Sequence, residues 1–158
     1  MKKLSYIFLC VSLLATGCST PEDSVFETVV GTATIEGKLT FNKDQTGTDV
    51  VPASGAKVTI TYSSEDVSYG NPNGVDVTKT VEVTTNDQGR FTAEVPAIAK
   101  TATYTIKPQD FLTEYQVSDG GTGLETKTGY YEKDEETVDT FEGETTYVSY
   151  EYTFVSEF

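Results

Sequence analysis

Between Thr78 and Pro96, apolar and polar residues alternate on both sides of a short polar connection. Val81 and Val83 alternate with Thr80, Glu82 and Thr84. Asn86-Asp87-Gln88-Gly89 intervenes, and Phe91, Ala93 and Val95 then alternate with Thr92 and Glu94. A period of two on both sides of a glycine-containing turn predicts an antiparallel β-hairpin with one buried face. Gly89 is placed to supply the positive φ that such a turn needs, and Asn86 and Asp87 suit turn geometry through their own backbone hydrogen bonds. Pro96, which cannot donate to a ladder, is expected to end the second strand.

The same alternation recurs along the chain. Ala33–Phe41 sets Ile35, Leu39 and Phe41 on one parity, with Gly37 among them; Ala56–Tyr62 does so with Val58 and Ile60. Thr101–Lys107 brings Ala102, Tyr104 and Ile106 to one face, and Phe111–Val117 repeats the pattern more weakly. Thr145–Phe158 alternates Val148, Tyr150, Tyr152 and Phe154 with Ser149, Glu151 and Thr153. Asn42–Gly55 and Ser63–Gly74 read as loops. Asp119–Glu144 is glycine-rich and then acidic, with little periodicity, and reads as an irregular insertion. No window outside the N-terminal segment carries the i, i+3, i+4, i+7 apolar spacing of a helix. The expectation is an all-β domain over residues 31–158, a seven-stranded antiparallel sandwich of the Ig-like or transthyretin-like kind, with an acidic insertion at 119–144.

Four stretches carry a family resemblance: Ile35-Glu36-Gly37-Lys38-Leu39, Pro52-Ala53-Ser54-Gly55-Ala56-Lys57-Val58-Thr59-Ile60, Thr84-Thr85-Asn86-Asp87-Gln88-Gly89-Arg90-Phe91 and Tyr104-Thr105-Ile106. Together they resemble the carboxypeptidase regulatory-like domain over residues 33–107. The resemblance implies a seven-stranded transthyretin-like sandwich that serves as an accessory module on bacterial surface proteins and carries no catalytic residues. A lone lipoprotein of this size is also similar to fimbrillin-like surface proteins, although no motif carries that likeness.

The N-terminus points to a membrane by another route. Met1-Lys2-Lys3 is basic, and Leu4–Leu14 is an apolar run too short to span a bilayer, which needs about 20 residues. Ala15-Thr16-Gly17-Cys18 then resembles the lipobox of bacterial lipoproteins, which implies cleavage before Cys18 and its acylation. An ordinary signal peptide with an incidental cysteine is the alternative, but Cys10, the one other cysteine, lies in the segment to be discarded. The reading is therefore a signal peptide over 1–17 and a lipidated Cys18 with a tether over 18–30. Glu22 and Asp23 resemble the surface-export signal of some Gram-negative lipoproteins, so the expected location is the outer membrane, lipid-anchored, at the cell surface, with the inner leaflet of that membrane as the alternative.

Composition narrows the chemistry further. The chain has 158 residues, 25 acidic and 11 basic, for a formal charge of −14, and Arg90 is its one arginine. Nucleic acid is excluded as a partner, because phosphate binding needs clustered lysine and arginine. No histidine is present, and a lipidated chain keeps no free thiol, which removes Ser-His-Asp and Cys-His nucleophiles and zinc sites built on those residues. A glycosidase pair could be sought among Glu132, Asp134, Glu135, Glu136, Asp139, Glu142 and Glu144. Their crowding in one polar stretch argues for a solvated loop instead, since a general acid needs desolvation. Asp134, Glu135, Glu136 and Asp139 offer oxygen ligands for calcium without the spacing of an EF-hand. No catalytic residue, cofactor or metal is assigned.

The tyrosines are the remaining candidates for recognition. Tyr62, Tyr104, Tyr150 and Tyr152 fall on strand faces and read as core. Tyr69, Tyr130 and Tyr131 fall in expected loops, where they could stack on a sugar or anchor a partner. Tyr130 and Tyr131, beside the acidic run, are the expected ligand-binding residues. The function expected is a non-catalytic binding or adhesion module for a glycan or protein ligand. A structural accessory or assembly subunit, pairing its sheet edges with another chain, is the alternative.

Overall fold

The computed structural model describes residues 30–69 and 75–158. Cys18, the signal segment and nearly all of the tether therefore lie outside the described residues. The described residues form ten strands: β1 (Gly31–Asn42), β2 (Val50–Pro52), β3 (Lys57–Ser63), β4 (Thr78–Thr84), β5 (Arg90–Ala97), β6 (Ala102–Pro108), β7 (Phe111–Ser118), β8 (Leu124–Glu132), β9 (Glu136–Thr140) and β10 (Thr145–Glu157). They form two sheets. The larger runs β2-β1-β10-β8-β7, with β5 also paired to β1, and the smaller runs β4-β3-β6-β9. The all-β, two-sheet reading holds.

The core follows the alternation. β1 contributes Ala33, Ile35, Leu39 and Phe41, and β5 contributes Phe91, Ala93, Val95 and Ala97. The smaller sheet answers with Val58 and Ile60 from β3 and Ala102, Tyr104 and Ile106 from β6. All are buried in one cluster. The Tyr104 hydroxyl, carried through this core, donates to the Pro96 carbonyl at 2.5 Å, as a buried phenol requires.

The expected hairpin is corrected. β4 pairs with β3, through Ile60↔Val81 and Val58↔Val83, whereas β5 pairs with β1, through Gly37↔Phe91 and Ile35↔Ala93. The turn between them is as tight as expected: Gly89 N–H donates to the Asn86 carbonyl, the Gln88 and Arg90 amides donate to Asn86 Oδ1, and Gly89 has φ 70°. What separates the strands is the Ala53–Ala56 loop. Thr85 N–H donates to the Ala56 carbonyl, Gly55 N–H to the Thr85 carbonyl, and Thr85 Oγ1 to the Ala53 carbonyl at 2.5 Å. Leu39 N–H meanwhile donates to the Gly89 carbonyl at 2.7 Å, drawing the other arm to β1. Alternation marks a buried face but not the sheet that owns it.

Three further expectations change. The described residues hold ten strands rather than seven, and the sandwich is not wholly antiparallel, because β1 and β10 run parallel from Thr34↔Thr145 to Phe41↔Tyr152. Parallel neighbours cannot be joined by a hairpin, and these are the first and last strands of the domain. Finally, Asp119–Glu144 is not an irregular insertion, since it contains β8 and β9. The inward positions of β8 are Lys127, Gly129 and Tyr131, only one of them a large apolar group. A Cβ on Gly129 would meet the rings of Phe154 and Tyr115, so glycine takes a core position there. β9 is an edge strand, with Val138 and Thr140 on its inner parity.

Beyond the main core, the ends of β1, β7, β8 and β10 enclose an aromatic cluster. Phe111 stacks on Tyr131 with centroids 5.6 Å apart, and Phe41 meets both rings edge-on at 5.2–5.3 Å. Tyr152 approaches Phe111 at 4.7 Å and Phe154 approaches Tyr115 at 4.8 Å. The two innermost hydroxyls exit to carbonyls at the rim, Tyr131 to Asn42 at 2.8 Å and Tyr152 to Gln109 at 2.9 Å.

Candidate functional site

Tyr130 and Tyr131 do not form an exposed pair. They are neighbours on β8 and so point to opposite faces. Tyr131 is 0% exposed in the aromatic cluster, which takes it out of any contact with a ligand. Tyr130 is half-buried, and its hydroxyl donates to Asp110 Oδ2 at 2.8 Å. That bond to a carboxylate, with some burial, pushes the phenol above its ordinary range. Tyr69 is exposed, but its hydroxyl accepts the Ala99 N–H at 3.0 Å. The acidic residues of the stretch are dispersed along β8, β9 and their turns. Lys133 bridges to Glu136, and Asp139 accepts the Thr103 hydroxyl at 2.7 Å. Among the described residues no three potential metal ligands converge.

The surface that does bring recognition chemistry together is the outer face of β5, β1 and β10. Because β1 is paired on both sides over residues 34–38, its outward side chains sit in rows with those of its neighbours. Thr92, Glu36 and Tyr147 form one row, and Arg90, Lys38 and Ser149 form the next. The inward-facing Gly37, Phe91 and Val148 floor a hollow of about 90 Å³ walled by Glu36, Lys38, Arg90, Thr92 and Tyr147. Tyr147 is 73% exposed, although every other tyrosine of β10 is buried.

Two main-chain ladders, β5–β1 and β1–β10, hold this face rigid, with its side chains standing out from the pleat. A tyrosine ring offers an apolar face to the C–H groups of a sugar or to a flat side chain, with a polar tip that stays in water. Glu36 supplies acceptors, Arg90 and Lys38 supply charged donors, and Thr92 and Ser149 supply hydroxyls. The sequence contained a signal for Tyr147 that went unused. It is an aromatic residue on the polar parity of a cleanly alternating strand, in company with Ser149, Glu151 and Thr153.

A second concavity, of about 390 Å³, lies between the Pro52–Ala56 segment and Phe111–Thr113 of β7, with Phe41 also in its lining. Leu112, 51% exposed, stands at its lip. Gln116 N–H donates to the Lys43 carbonyl and the Gln116 carbonyl accepts Gln45 N–H, so even-numbered residues of β7 turn their backbone groups away from β8. Those of Leu112 and Glu114 therefore face the open edge beside this cleft.

No family model matches the chain, and no curated protein matches it. Among solved structures it is similar to a candidate carbohydrate binding protein from Pseudomonas aeruginosa, at 16% identity and a TM-score of 0.44, covering 77% of this chain and 89% of that one. It is also similar to the shaft pilin of Lactobacillus rhamnosus GG, at 16% identity and a TM-score of 0.45, covering 80% of this chain and 50% of the pilin. The major plantain pollen allergen gives 14% identity and a TM-score of 0.39 over 77% of this chain and 93% of its own. Likenesses this distant assign neither a ligand nor a partner.

Proposed function

We propose that this chain is a non-catalytic binding module, held to the outer membrane through an acylated Cys18, that presents the outer face of β5, β1 and β10 to a glycan ligand at the cell surface. The observation that carries the reading is the exposed ring of Tyr147 on a rigid sheet face, ringed by Glu36, Lys38, Arg90 and Thr92. A flat aromatic platform with charged and hydroxyl groups at its margin suits a polyhydroxylated ring better than it suits covalent chemistry. The lipobox-like Ala15-Thr16-Gly17-Cys18 supports the anchor. Two or more acyl chains, at about 0.8 kcal/mol per buried CH₂, hold a protein stably where one does not.

Two experiments test the two halves. Retention of the detergent-solubilised chain on immobilised polysaccharides should be lost in Tyr147→Ala and kept in Tyr130→Phe. Loss in neither variant would remove the site. Cys18→Ala should move the protein from the detergent-rich to the aqueous phase on phase separation, and an unmodified Cys18 by mass spectrometry would end the anchor reading.

The cleft beside β7 favours a second reading, as an assembly subunit. The outward backbone groups of Leu112 and Glu114 offer a ladder to an added strand. Leu112→Pro removes one outward donor, which an edge strand tolerates. Chemical cross-links between copies on cells that vanish in this variant would favour assembly, and monomers in both would count against it.

A further inference from the structure

We infer that the ligand held on the Tyr147 face is an acidic saccharide, whose carboxylate or sulfate is gripped by Arg90 and Lys38 while the Tyr147 ring covers the sugar. This rests on the binding reading above and narrows it to a ligand class. Arg90 and Lys38 are directly opposite each other on the antiparallel pair β5–β1. Like charges directly opposite are unfavourable in a sheet, and here the chain sets its one arginine against a lysine while carrying 25 acidic residues with which to avoid it. Neither cation forms an ion pair among the described residues. The ion pairs among the described residues join Lys127 to Glu125 and Glu157, and Lys133 to Glu136. By register Glu36 lies diagonal to Arg90 and Glu151 diagonal to Lys38, and neither carboxylate makes an ion pair with either cation.

The arrangement is therefore a local cationic pair on an anionic molecule. Overall repulsion does not prevent it from acting, because charges beyond about 8 Å are largely screened at physiological salt. Arg90 supplies a planar fork matched to a carboxylate, and Lys38 supplies a point charge beside it. Both wall the same hollow as Tyr147, so one ligand can touch the cations and the ring together. Glu36, in the row of Tyr147, supplies acceptors for hydroxyl groups. It also disfavours a bare polyanion that brings no hydroxyls to satisfy it.

The full-length chain in detergent would be titrated with polygalacturonate, chondroitin sulfate, neutral dextran, poly-glutamate and vesicles rich in anionic lipid. Wild type should bind one or both acidic polysaccharides more tightly than dextran, and poly-glutamate and vesicles no better than dextran. Arg90→Gln and Lys38→Gln should each weaken acidic-glycan binding by about twofold to fivefold, as exposed charged contacts do, and weaken dextran binding less, with a melting temperature no lower than that of wild type because one of two opposed like charges is gone. Polygalacturonate against chondroitin sulfate tells carboxylate from sulfate. Tyr147→Ala should weaken every glycan. If Tyr147→Ala weakens binding while the cation variants do not, the acidic ligand is wrong and the binding site stands. If Tyr147→Ala changes nothing, the site itself is wrong. Equal or tighter binding to poly-glutamate or to vesicles would overturn the saccharide in favour of a peptide or a lipid surface.

Discussion

Gly37 and Phe91 are directly opposite each other across β1 and β5, and the Phe91 ring occupies the space that a Cβ on Gly37 would need. A glycine on the apolar parity of an otherwise regular strand is thus explained by the ring that covers it. Gly37→Ala should destabilise by about 1–3 kcal/mol, the usual cost of overpacking. Phe91→Ala should cost about 3–5 kcal/mol, since the ring is buried. Urea denaturation followed by circular dichroism checks both.

Tyr131 lies in the middle of the aromatic cluster, against the rings of Phe41, Phe111 and Phe154. Tyr131→Ala should cost about 3–5 kcal/mol. Tyr131→Phe, which keeps the stacking and loses the bond to the Asn42 carbonyl, should cost about 1 kcal/mol. Thermal melts separate the two. A Tyr131→Ala protein that melts with wild type would return Tyr131 to the surface.

Gly89 is the second glycine whose conformation matters. Its φ is 70°, and a Cβ there would press on the Leu39 carbonyl oxygen. Gly89→Ala should therefore lower the melting temperature. Gly55→Ala, with a φ of 72° and open space around it, should lower it less. Equal losses would mean that φ alone sets the cost.

The buried tyrosines make stability sensitive to alkali. Burial pushes Tyr104 and Tyr150 up to about 12, and Tyr152 higher still. In the unfolded chain a phenol titrates near its ordinary value of about 10. Below that pH the hydroxyls are protonated in both states, and stability does not depend on them. Above it the unfolded chain loses protons that the folded chain keeps, so stability falls by about 1.4 kcal/mol per pH unit for each such group. Denaturant midpoints should be level below pH 10 and fall steeply from 10 toward 12. Tyrosinate absorbance should appear together with unfolding.

How much of this could be read from the sequence depended on whether burial left a trace in the local pattern. The strands carrying Ile35, Val58, Phe91, Tyr104, Tyr115 and Tyr152 were legible, because each alternates over enough residues to declare a face. β8 was hidden, since Lys127 and Gly129 take two of its inward positions and the core is filled by rings from other strands. The split of β4 from β5 was hidden too. It is set by the bonds of Thr85 to a loop some thirty residues earlier, and no local period reports those. The acidic neighbours of Tyr130 and Tyr131 suggest a solvated loop, whereas the chain there forms β8. Parity along β10 is the better guide, because it places Tyr147 outside and Tyr150 and Tyr152 inside.

The measurement that bears most directly on the account is an amide chemical-shift map of the domain during titration with oligogalacturonate. Shifts concentrated at residues 36–38, 90–92 and 147–149, and abolished in Tyr147→Ala, are the result predicted. Shifts concentrated at 52–56 and 111–113, or a spectrum unmoved at millimolar ligand, would contradict it.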